Sequence, residues 1–178
     1  MLADPRHSFV VLVNMTRGGG VGAQAPILRH GRSLALLPAC QEIFGIRQIA
    51  VGEYQRRRLP DQIAASIEHL DIDGLSLWRD PGLAARLTEA EAGVIFLGGA
   101  FLEEEVMIAA LEGARHGYDI RLLADLSVAR HEADGPIVLT RLAHYGILAT
   151  TIRQALLEWA VSLGDQSVGR RVQELLSS

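Results

Sequence analysis

Short apolar runs, rich in β-branched residues, alternate along this chain with longer segments of helical periodicity. Ser8–Asn14 (SFVVLVN), Arg47–Val51 (RQIAV), Gly93–Gly98 (GVIFLG) and Asp119–Asp125 (DIRLLAD) are such runs. Near-continuous apolar runs of this length suit strands buried on both faces, as in a parallel sheet. Gly74–Trp78 (GLSLW) reads as a further strand or an extended connection, and Gly146–Thr150 as a last short strand. Helices are predicted between them: Pro26–Phe44 with Gly45 as C-terminal cap, Leu59–Leu70, Asp80 through Leu87, and Leu102–His116 closed by Gly117. The chain then gives Ala133–Tyr145, Ile152–Leu163 and Gln166–Leu176 as helical segments. Asp80-Pro81 is a helix start, with Asp as N-cap and Pro at the first position.

Strand–helix alternation from end to end implies right-handed βαβ crossovers. The expected fold class is α/β: three α/β/α layers around a mostly parallel, Rossmann-like central sheet. At 178 residues the chain is expected to form a single domain spanning 1–178. Ligands of such sheets sit at the carboxyl ends of the strands. The segments after Asn14, Val51, Gly98 and Asp125 are therefore where a site is sought.

Composition excludes several chemistries. All 17 basic residues are Arg, so no Lys is present for Schiff-base or ammonium catalysis. The single cysteine, Cys40, allows no internal disulfide, which fits a reducing, cytoplasmic setting. It falls on the apolar face of a helix, where inert packing is the ordinary role. The net charge of −4 argues against nucleic acid as a partner. Arg56-Arg57-Arg58 is read as a solvated run rather than an anion site. The N-terminus lacks a basic-then-apolar signal pattern, and no apolar run reaches the roughly 18 residues that span a bilayer. No membrane partner is expected.

Among candidate motifs, Gly18-Gly19-Gly20-Val21-Gly22 follows a strand but fits neither G-x-G-x-x-G nor G-x-x-x-x-G-K-[ST], and reads as a surface loop. The six histidines show no H-x-H or H-E-x-x-H spacing, so no metal site is expected. Glu103-Glu104-Glu105 opens the helix after Gly93–Gly98. Carboxylates there are favoured by the helix dipole. Their different angular positions also predict that at least one turns toward the sheet edge, where it could serve as an acid or base.

Gly93–Thr151 (GVIFLGGAFLEEEVMIAALEGARHGYDIRLLADLSVARHEADGPIVLTRLAHYGILATT) resembles the isochorismatase-like, or cysteine hydrolase, family. The similarity lies in a strand, a Gly-rich turn into a helix, "GY", a strand ending in Asp, and a "GA-x-x-TT" strand. FVVLVNMT looks like the family's opening "LLVIDMQ". Val51-Gly52-Glu53-Tyr54, Leu75-Ser76-Leu77 and the C-terminal segment look like the small isochorismatase-domain-containing subgroup. The order of these pieces covers nearly the whole chain.

The resemblance implies an Asp after the first strand, a Lys after the third and a nucleophilic Cys at a helix N-terminus. In that arrangement the Lys and helix dipole depress the thiol pKa, the Asp moves a proton and backbone N–H groups hold an oxyanion. In this sequence those positions fall on Asn14, Ile72 and Glu105. Ligand-contact positions fall on Glu53, Gly99, Ala100 and Leu102. Glu53 stands where some members carry a metal site, but no His pair accompanies it. An amide such as Asn14 cannot act as a proton-accepting base.

The resemblance therefore implies a degenerate member without hydrolytic activity, acting as a binding, regulatory or structural subunit. Its cleft is expected to be filled by Glu105 or Trp78. The alternative is an enzyme with a rebuilt site using Glu105 and Asn14 on a small metabolite. A small-molecule carrier using Arg17 and the Gly-rich loop is a third reading. No cofactor is expected; a small-molecule ligand and a homo-oligomer are.

Overall fold

The computed structural model describes residues 1–18 and 24–178. In chain order the strands are β1 (Ser8–Val13), β2 (Arg47–Val51), β3 (Glu68–Leu70), β4 (Val94–Ala100), β5 (Asp119–Val128) and β6 (Leu148–Thr150). The α-helices are α1 (Gly31–Leu34), α2 (Leu37–Phe44), α3 (Asp61–Ala65), α4 (Pro81–Glu89), α5 (Met107–Arg115), α6 (Gly135–His144), α7 (Ile152–Leu163) and α8 (Gln166–Ser177). The strands form one sheet in the order β3-β2-β1-β4-β5-β6, and every pairing is parallel.

Helices cover both faces because β1 alternates its side chains between them. Val10 and Leu12 join an apolar cluster with residues of α1, α2, α3, α7 and α8. Phe9, Val11 and Val13 join a second cluster with residues of α4, α5 and α6. All six residues of β1 are buried, which is why its sequence is continuously apolar after Ser8. The predicted α/β/α layering with a parallel sheet is the observed architecture.

The helical reading of Pro26–Phe44 is corrected. That segment breaks into a 3-10 turn (Pro26–His30), α1 and α2, with Pro38 in the first turn of α2. Proline has no N–H to continue a preceding helix, so the chain restarts there. The third strand is also corrected. Leu59–Leu70 is not one helix: α3 ends at Ala65 and β3 follows. Gly74–Trp78 is a turn leading into a 3-10 turn (Leu77–Arg79), not a strand. β3 is a three-residue edge strand, partly exposed and polar, so no apolar run marks it.

The chain order reverses between β1 and β4, whose carboxyl ends lie side by side, Val13 paired with Gly99. Such a switch point opens a crevice between the flanking loops. Asp125 does not contribute to it. Its carboxylate accepts from the Ile152 N–H at 3.1 Å, and Thr151 and Gln154 complete a capping box at the start of α7. Among the described residues no helix is long and apolar enough to cross a membrane.

Candidate functional site

Asn14 follows β1 directly and adopts φ 48°, a left-handed conformation that Asn tolerates better than most residues. Its N–H donates to Val51 O at 2.8 Å, and its carbonyl accepts from Arg17 N–H at 2.9 Å. The side chain is buried, 2% exposed, and its Oδ1 accepts from the Glu53 N–H at 2.9 Å. Thr16 adds two more links to the β2 side, through Glu53 O and the Gln55 N–H. The segments after β1 and β2 are thereby stitched together beyond the sheet, and Arg17 is aimed back across its edge.

On the other side of the switch point, Leu102–Val106 forms a wide π-type turn before α5, with Glu104 outside helical backbone geometry. A π-type turn of this kind re-aims successive side chains. The predicted continuous helix from Leu102 is corrected accordingly. The three glutamates diverge to three different partners. Glu103 accepts from the His131 N–H at 2.8 Å. Glu104 accepts two hydrogen bonds from Arg130, at 2.7 and 3.2 Å, and this guanidinium holds its carboxyl below the usual carboxylate range. Glu105 turns inward, its side chain 16% exposed, and pairs with Arg17.

Arg17 also bonds Glu53, Nε to Oε2 at 3.2 Å. Burial works against its charge, but the hydrogen bonds to Glu105 and Glu53 outweigh that and raise its pKa. The prediction that one glutamate faces the sheet edge holds for Glu105. What the sequence did not reveal is its partner, 88 residues away.

Two glycines let these groups meet. A Cβ on Gly52 would stand 2.2 Å from Asn14 Oδ1. One on Gly74 would stand 2.9 Å from Val13 Cγ1, 3.4 Å from Glu105 Cβ and 3.5 Å from Asn14 Nδ2. The loop after β3 thus closes over Asn14 and Glu105 with bare backbone. Ile72, two residues earlier, is half-buried against the apolar cluster under α4 and α5. Gly74 was missed because nothing in a lone glycine after a polar strand announces a contact.

The remaining candidates are distributed. Gly99 faces the Val13 backbone, where a Cβ would lie 1.9 Å from its carbonyl oxygen. Ala100 is buried at the end of β4, Leu102 is in the apolar core, and Glu53 is exposed. Trp78 does not enter the cleft. It stacks on Tyr118 and donates Nε1–H to Ala109 O at 2.8 Å, holding α5. Cys40 is buried, and burial pushes its thiol pKa far up, as inert packing requires. The Gly-rich loop, Gly19 to Gly22, lies outside the described residues. Among the described residues no group of three or more His, Cys, Asp or Glu is placed to hold a metal.

Neither a family model nor any curated protein matches this chain by sequence. Solved structures do. A MAR1 ribonuclease from Caenorhabditis elegans superposes with a TM-score of 0.79 at 14% identity, over 100% of this chain and 93% of that one. The fold is isochorismatase-like. YcaC from Escherichia coli, an octameric hydrolase of unknown specificity, gives 0.70 at 14% identity over 99% and 95%. The nicotinamidase SaPncA from Staphylococcus aureus gives 0.68 at 13% identity over 82% and 99%. Within this isochorismatase-like fold, Asn14, Gly74 and Glu105 converge where β1 and β4 end, and Arg17 supplies the cation among them.

Two polar atoms in the cleft are buried without a hydrogen-bond partner among the described residues: Asn14 Nδ2, a donor, and Glu105 Oε2, an acceptor. Leaving such groups unpaired costs about 1–3 kcal/mol each. Tyr54 Oη and Glu103 Oε2, on the segments that flank the cleft, are likewise buried without a partner among the described residues.

Proposed function

We propose that this chain is a non-hydrolytic, single-domain member of the isochorismatase-like hydrolases, serving as a binding, regulatory or structural subunit. The observation that carries this reading is the Arg17–Glu105 pair. Where relatives by resemblance hold a thiolate nucleophile, this chain holds a carboxylate already engaged by a cation. Asn14 cannot accept a proton, and its Oδ1 is spent on the Glu53 N–H. Gly74 covers both groups, and the larger cavities among the described residues lie elsewhere. Nucleic acid is not part of this reading, given the net charge of −4. Self-association is: Ile137, Tyr145 and Leu148 expose apolar surface on and beside α6.

A second reading keeps the cleft reactive, with Glu105 as base or nucleophile and Asn14 orienting a small metabolite. It is favoured by the unpartnered Asn14 Nδ2 and Glu105 Oε2. One assay separates the two. Wild type and Glu105→Ala are incubated with nicotinamide, N-carbamoyl amino acids, an isochorismate-like vinyl ether and single-stranded RNA. The first reading predicts no turnover above buffer from either protein. Turnover by wild type that Glu105→Ala abolishes establishes the second.

A further inference from the structure

A cavity of about 650 Å³ opens beside the cleft, between the Pro26–Leu34 segment and α3, a size typical of small-ligand sites. Leu34, Leu59 and Ile63 form its floor and belong to the apolar core, each 6% exposed or less. The rim carries Arg57 and Arg58. Their roles differ. Arg58 is committed to the chain itself, its guanidinium donating to Thr16 O at 3.2 Å and Gly18 O at 3.5 Å. The guanidinium of Arg57 makes no hydrogen bond or ion pair among the described residues. Asp61 stands on the same rim.

We propose that this cavity binds a small organic monocarboxylate, with its apolar body on Leu34, Leu59 and Ile63 and its carboxylate on Arg57. The apolar floor excludes a ligand that is all charge, since burying it there would leave that surface unmatched. A planar guanidinium fits a carboxylate through two parallel hydrogen bonds. Asp61 limits the charge the rim tolerates: a dianion would meet a like charge that a monoanion avoids. The site gives the Arg56-Arg57-Arg58 run a role beyond solvation. It lies outside the cleft, so it stands or falls separately from the cleft's chemistry.

Gly31 supplies a clean test. It lines the cavity in helical geometry, φ −53° and ψ −35°, and a Cβ there meets nothing within 4 Å. Gly31→Phe therefore places an aromatic ring at the cavity wall, from a position where a Cβ is tolerated. Binding of benzoate and of hexanoate is measured by calorimetry and ligand-observed NMR on the whole chain. Melting curves confirm that each variant is folded. Wild type is expected to bind at least one of the two with Kd about 1 mM or tighter. Arg57→Gln is expected to weaken that binding about tenfold. Gly31→Phe abolishes it, while benzamide and inorganic phosphate fail to compete. If Gly31→Phe does not fold, the Arg57→Gln and benzamide comparisons decide. Absence of binding by both carboxylates overturns the proposal, as does benzoate affinity unchanged by Arg57→Gln or equal competition by phosphate.

Discussion

Two regions adjoin at the carboxyl end of the sheet, and the glycines of the first and the single glycine of the second face opposite surroundings. In the cleft between β1 and β4, every glycine position is crowded. A Cβ at Gly99, Gly52 or Gly74 would fall 1.9, 2.2 or 2.9 Å from its nearest neighbour. In the neighbouring cavity, a Cβ at Gly31 would meet open space. Glycine in the cleft is there because backbone and Asn14 already occupy the volume that a side chain would take. The cleft at the switch point is packed to contact, while open volume lies one step aside, against α3. Arg58 joins the two, reaching from the cavity wall to the carbonyls on either side of Arg17.

Alanine at each glycine measures this contrast. Gly99→Ala carries the largest effect. Its φ of 125° and the Val13 carbonyl leave a side chain nowhere to go, and neither can yield without breaking the sheet. A loss of about 4 kcal/mol or more is expected, enough to deplete the folded protein in urea titrations. Gly74→Ala comes next, because Val13 is buried and stiff at χ1. A loss of about 1–3 kcal/mol is expected by the same titration, and a neutral result would mean that the loop stands off the cleft. Gly31→Ala is expected to stabilise by about 0.4–1 kcal/mol, since helical geometry suits alanine and nothing obstructs it. Destabilisation there would show that another part of the chain fills the cavity.

The same contrast explains what could be read without coordinates. Burial patterns travel with local sequence, so β1, β2, β4, β5 and the last two helices were legible from apolar runs and helical spacing. β3 was not, because a short polar edge strand has one partner and no buried face to write into its sequence. Gly74–Trp78 misled in the opposite sense. Its apolar residues belong to a turn that buries Leu77 and Trp78 beneath α5 and leaves Leu75 exposed. Asn14 and Glu105 were located through the family resemblance, one after a strand and the other at a helix start. Arg17 and Gly74 could not be assigned to them, since those contacts are made across the switch point and leave no local pattern.

Arg17 and Glu105 meet across the cleft as a pair. A double-mutant cycle tests that directly, using urea unfolding of wild type, Arg17→Gln, Glu105→Gln and the double variant. The two side chains are 27% and 16% exposed, so solvent screening keeps the expected coupling at about 1–2 kcal/mol. Additive effects, within about 0.3 kcal/mol, would contradict the closed cleft and leave Glu105 free for other work.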